Sequence, residues 1–107
     1  MRTFELRVYT LRTKEALDFY MNQVYPRHVS SFPRFGIEAH GIWTVKDNVD
    51  LRAFVLVSYA AGEDPVEVVR RYMQSAEFAE EITGWDASNI VRVESTILIP
   101  ATSSPLR

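Results

Sequence analysis

The stretch FELRVYTL, residues 4–11, carries an acid, a base and a phenol at every second position: Glu5, Arg7 and Tyr9. A β-strand repeats every two residues, so these three share one side while Phe4, Leu6, Val8 and Thr10 share the other. Such a row can do chemistry. Arg7 can hold an anionic or carbonyl group, Tyr9 can donate a hydrogen bond, and Glu5 can move a proton. It can equally form ion pairs that set strand register or orient a partner chain. The two histidines are the other titratable candidates. His28 follows Val24 on a helical stripe and can face a ligand, although such a histidine more commonly caps helix carbonyls. His40, two residues from Glu38, can act as a base or sit in a polar strand cluster. By parity, Glu38, His40, Arg92 and Glu94 are candidates for the same sheet face as Glu5, Arg7 and Tyr9.

Other chemistries are excluded or unsupported. There is no cysteine, which removes disulfides, zinc fingers, iron–sulfur clusters and thiol nucleophiles. Two histidines on different elements, without H-E-x-x-H spacing, give no expected metal site. There is no P-loop and no G-x-S-x-G elbow, and Ser30, Ser31 and Ser58 lack an activating context. A net charge of −2 with scattered bases does not suit a nucleic-acid surface. No apolar run approaches the ~20 residues of a membrane span, and MRTFELR does not read as a signal peptide. The expectation is a cytoplasmic protein with neither membrane nor nucleic acid as partner. No cofactor is expected; an oxidative reaction would require haem, flavin or a substrate that itself activates oxygen.

The elements that must position these residues follow from the apolar pattern. With 107 residues, 47% hydrophobic and 24% charged, the chain suits one globular domain. Residues 3–11 read as a strand. Residues 13–35 switch to helical spacing, with Leu17, Tyr20, Met21, Val24 and His28 near one stripe. Pro26 should kink or split that helix near Tyr25, and Gly36 should stop it. IEAHGIWTV, 37–45, is a second strand, placing Ile37, Ala39, Gly41, Trp43 and Val45 opposite Glu38, His40, Ile42 and Thr44. KDNVD is a hairpin turn. LRAFVLVSYA, 51–60, is almost wholly apolar and so belongs at the centre of a sheet covered on both faces.

A second helix opens with Asp64 as cap, Pro65 at its first position and Glu67 three residues after the cap. Its stripe runs through Val66, Val69, Tyr72, Met73 and Ala76. Ser75 can cap a further turn carrying Phe78, Ala79 and Ile82, ended by Gly84. Trp85 reads as a lid or packing anchor for the loop into the last strand, NIVRVESTILIP, 89–100. Residues 1–100 thus form a single domain, and ATSSPLR, 101–107, reads as a flexible C-terminal tail. The order β-α-β-β-α-β is the ferredoxin-like split motif, an α+β fold with a four-stranded antiparallel sheet and two helices on one face.

Four stretches in this order resemble the NIPSNAP family: the E-L-R-x-Y strand in FELRVYTL, the proline-bearing helix end YPRHVSSFPRFGIE, the small-Gly-aromatic strand AHGIWTV, and SAEF late in the second half. The resemblance spans nearly the whole chain. It departs at RTKEA, where the family commonly has a basic or glycine-containing turn. The resemblance implies a dimeric α/β barrel, in which two sheets pack face to face and cover the second side of residues 51–60. A homodimer is therefore expected.

Relatives in that superfamily act as cofactor-free monooxygenases or bind haem, whereas NIPSNAP-like proteins are more associated with interaction roles. Two readings follow. In the first, a small hydrophobic or aromatic ligand occupies a pocket between sheet and helices, with the protein acting as a monooxygenase-like enzyme. The pocket residues are then Tyr20, Val24, His40, Trp43, Tyr59 and Tyr72, and His28, Tyr9 and Arg7 carry any catalysis. In the second, the protein is a non-catalytic homodimeric binding or scaffold module. Glu5, Arg7, Arg92 and Glu94 form an interfacial polar cluster. The residues alone do not decide between enzyme and module.

Overall fold

A computed structural model of the chain describes residues 1–47 and 49–107. The turn expected at KDNVD includes Asn48, which lies outside the described residues. Four strands form one antiparallel sheet: β1 (Thr3–Leu11), β2 (Ile37–Thr44), β3 (Arg52–Tyr59) and β4 (Ile90–Leu98), in the order β2-β3-β1-β4. The helices α1 (Lys14–Phe19), α2 (Tyr25–Ser31), α3 (Pro65–Met73) and α4 (Ala76–Glu81) supply the second layer.

The first helical stretch, expected to kink or split near Tyr25, stays continuous and changes pitch there. Thr13 caps α1 by accepting from the Ala16 amide. A π turn, Tyr20–Val24, then joins α1 to α2, and the Tyr25 amide bonds the Tyr20 carbonyl. Pro26 falls in the first turn of α2, directly after this widened segment. The proline's missing donor is absorbed by a change of helical pitch, with right-handed helical backbone kept at Phe19, Tyr20, Val24 and Tyr25. Gly36 ends the run at φ 72°, as a left-handed C-terminal residue should.

The second helical half starts as expected, with Asp64 accepting from the Val66 amide and Ser75 from the Phe78 amide. Its apolar stripe is displaced by about one residue. Val68 and Tyr72 are buried and Val69 packs against the core, while Val66 is 75% exposed. Residues 65–69 had offered valines at three of five positions, so the pattern left the phase of the stripe loosely defined.

Two facts decide what the sheet presents. The first is a bulge at His40, where His40 and Gly41 together oppose Leu56. Strict alternation fails there: Ile42 joins Ile37 and Ala39 against the core, and Trp43 turns to the other face beside Phe54. A side chain on Gly41 would collide with the Trp43 ring, which lies 2.4 Å from the position a Cβ would take.

The second is that helices cover one face only. Ala53, Val55, Val57 and Tyr59 are buried under them. On the other face Leu6, Val8, Phe54 and Leu56 are half-exposed, Trp43 is 52% exposed and Leu98 is 40% exposed. The double cover expected for residues 51–60 is thus half supplied by this chain. The C-terminal residues 101–107 carry no helix or strand, and the Arg107 carbonyl accepts from Arg2 at 2.7 and 3.0 Å.

Candidate functional site

Between the sheet and the helices lies a cavity of about 320 Å³, within the size range of small-molecule sites. Alternation on β1 sends Arg7 and Tyr9 into it; β3 contributes Val55, Val57 and Tyr59; β4 contributes Val93. Tyr20, Tyr25, His28 and Phe32 come from the first helical half, and Tyr72, Phe78, Ile82 and Trp85 from the second. The lining is largely apolar and rich in aromatic rings. The Tyr20 ring lies 5.2 Å from Tyr9, 6.2 Å from Tyr25 and 5.7 Å from Trp85 between centroids.

Among the described residues, two polar atoms in this lining have no hydrogen-bond partner. The Tyr25 hydroxyl and Arg7 Nε are both buried without a hydrogen bond. Glu5 approaches Arg7 Nε at 3.5 Å, an ion pair beyond hydrogen-bonding reach. Glu5 itself is well supplied, accepting from the hydroxyls of Tyr59 and Ser95. Burial works against the Arg7 charge, but Tyr9, Glu5, Tyr59 and Tyr20 outweigh it and keep the guanidinium firmly protonated. Burial pushes Tyr20 and Tyr25 well above the ordinary phenol range, so both remain neutral donors.

A second polar group forms the helix-side wall. His28 Nδ1 lies 2.8 Å from Glu81 Oε1, and the Tyr72 hydroxyl donates to the same oxygen while lying 2.6 Å from Nδ1. Rings enclose the imidazole: Phe78 stacks at 5.4 Å and 10°, and Tyr72 meets it edge-on at 5.8 Å. Burial lowers the basicity of His28 more than Glu81 restores it. Burial pushes the Glu81 carboxyl up, yet donors from Ser31, Tyr72 and His28 outweigh that and hold it below its ordinary value. The pair at neutral pH is therefore a carboxylate and a neutral imidazole, with Nδ1–H donated to Glu81 and Nε2 left as an acceptor.

The candidate residues divide cleanly. Arg7, Tyr9, Tyr20, His28, Tyr59 and Tyr72 all line the cavity. Val24 is wholly buried core. His40 and Trp43 are not in the cavity, because the bulge and the strand parity put both on the opposite sheet face. There His40 Nε2 pairs with Ser58 Oγ at 2.8 Å, and its ring lies 5.2 Å from Phe4. The single shared polar face does not form. Glu5 and Arg7 face the helices, whereas Arg92 and Glu94 are exposed on the open face and pair at 3.4 Å.

Tyr25 and Glu81 were missed. Position 25 lies off the 3.6-residue stripe through Tyr20, and only the π turn brings it under that ring. Glu81 sits three residues after Phe78, a helical neighbour of an apolar position, but its histidine partner is distant in sequence.

The unpartnered hydroxyl yields a direct prediction. Tyr25→Phe should raise the stability of the ligand-free protein by about 1 kcal/mol, since a buried donor without a partner costs roughly that much. Thermal denaturation should show a rise of about 4–8 °C.

A family model described as NIPSNAP matches residues 4–105. Among solved structures, a NIPSNAP family protein of Agrobacterium tumefaciens strain C58 is 21% identical, covers 100% of both chains and has a TM-score of 0.75. A second, of unknown function from the same strain, is 20% identical over 99% of this chain and 94% of its own, with a TM-score of 0.79. A dimeric ferredoxin-like protein from an uncultured marine organism is 10% identical over 94% of this chain and 90% of its own, with a TM-score of 0.60. A comparison with curated proteins gave no match.

Proposed function

The chain belongs to the NIPSNAP family, and on that premise we propose that it is a homodimeric protein that binds a small, mainly aromatic molecule between its sheet and helices. The ligand carries a carboxylate or carbonyl group. The observation that carries this reading is the pair of buried donors without a hydrogen bond, Tyr25 hydroxyl and Arg7 Nε, in a largely apolar cavity rich in aromatic rings. Buried polar atoms in folded proteins are almost always paired, so two orphans lining one cavity favour a missing acceptor. Arg7 suits an anionic oxygen, and Tyr25 adds a neutral donor whose high pKa keeps its proton in place. The homodimer is supported by the apolar, half-exposed open face of the sheet and by the dimeric ferredoxin-like neighbour.

Trp85 reports on the cavity. Only Trp43 would interfere with it, because the chain holds two tryptophans and Trp43 lies on the other face. Titrating the Trp43→Phe protein with phenylpyruvate should produce a saturable change in Trp85 fluorescence. Arg7→Ala should weaken that binding at least ~10-fold, as loss of a charge-assisted bond does, and leave the oligomeric mass unchanged. A loss of assembly in Arg7→Ala with binding intact would contradict the placement of this side chain in a ligand site.

A further inference from the structure

We infer that His28 is a general base acting on the bound molecule, taking a proton from the carbon beside its carbonyl group, so that the protein catalyses cofactor-free enolisation. The inference rests on the cavity reading and adds a reaction to it. Three observations converge. His28 lines the same cavity as Arg7 and Tyr25. Its Nδ1 is held by Glu81 at 2.8 Å, which fixes the tautomer with the lone pair on Nε2. Neither Arg7 Nε, which is ion-paired with Glu5 at 3.5 Å, nor the Tyr25 hydroxyl has a hydrogen-bond acceptor among the described residues, so both can donate to an oxygen that gains negative charge.

The step balances within the site. The C–H bond breaks, its proton goes to His28 Nε2, and the electron pair moves through the new C=C bond onto the carbonyl oxygen. Arg7 and Tyr25 hold that oxygen, and Glu81 stabilises the imidazolium as a buried carboxylate does for a catalytic histidine. Return of the proton to either end of the enolate releases the keto form or its tautomer, with no oxidant or reductant consumed. The charged and titratable groups around His28 are Glu81 from α4, Tyr72 from α3, Tyr25 and Arg27 from α2, and Arg7 on β1 lining the same cavity. A buried imidazole in this setting is neutral at pH 7, as a base must be.

Phenylpyruvate joins an aromatic ring, a carboxylate and an acidic methylene, and it is the probe. In D2O, proton NMR should show its methylene exchanging on the order of 100-fold faster with the protein than in buffer, the scale of general-base catalysis. His28→Asn should return exchange to the buffer rate while Trp85 fluorescence still reports binding. Glu81→Gln keeps the base but removes its anionic support. It should slow exchange and move the rising limb of the pH profile to lower pH. Binding with exchange at the buffer rate would overturn the inference and leave the cavity reading standing, as would wild-type exchange in His28→Asn or an unshifted pH profile in a folded Glu81→Gln. Absence of phenylpyruvate binding would overturn both.

Discussion

Glu81→Ala is expected to cost the fold about 3 kcal/mol, the scale of leaving two buried donors without their acceptor. Glu81 accepts from both the His28 ring and the Tyr72 hydroxyl. Its removal strands two buried donors and opens a space among the rings of Phe32, Tyr72 and Phe78 that enclose the imidazole. Urea denaturation at fixed protein concentration measures the loss, and a change within 0.5 kcal/mol would show that the network contributes little.

The same network sets the response to acid. The folded pKa of His28 is below its ordinary value, so the unfolded chain binds the proton more readily, and stability falls as pH drops below about 6.5 toward the folded value. Glu81 is also depressed, so its contribution is present above the ordinary carboxylate range and is lost as pH falls through its folded value. Both contributions have the same sign, and acidification destabilises the protein in two stages. Glu81→Ala should abolish the lower stage.

The parent protein is expected to sediment as a dimer, and Leu56→Arg is expected to leave a folded monomer. Leu56 lies near the middle of the open face, paired with Leu6 on one side and opposing the Gly41 bulge on the other. In the monomer it is half-exposed, so an arginine can extend into water and cost the fold little. Against a second apolar sheet the same guanidinium would be buried without a partner, at several kcal/mol, which is about 100-fold or more in the dissociation constant. Sedimentation at micromolar concentration reads the result directly. A dimer that survives Leu56→Arg would place the association surface elsewhere, with the exposed edge of β4, where Val91, Val93 and Ile97 are 44–56% exposed, as the next surface to test.

The strands and caps were legible because each is a local event. Alternation set the bounds of β1, Asp64 and Ser75 announced their helices, and Gly36 ended the first one. The four-stranded antiparallel sheet followed from the β-α-β-β-α-β sequence of elements. What escaped were departures from ideal period. The bulge at His40 inverts the faces of everything after it in β2, which removes Trp43 from the pocket expected for it, while His40 shares the open face with Glu38 by alternation alone. The π turn shifts the helical phase by one residue and delivers Tyr25 to the cavity. Neither leaves a mark in the pattern of apolar residues, because each is chosen by the packing of distant elements. The Glu81–His28 pair is non-local in the same sense, joining residues 53 apart.

On the proposed function, the cavity between sheet and helices, and not the open sheet face, receives a small aromatic acid. Nuclear Overhauser contacts between the ring protons of bound phenylpyruvate and the protein test it most directly. Contacts to the rings of Tyr20, Tyr25 and Trp85 are expected. Contacts to Trp43, Phe54 and Leu56 instead would contradict it.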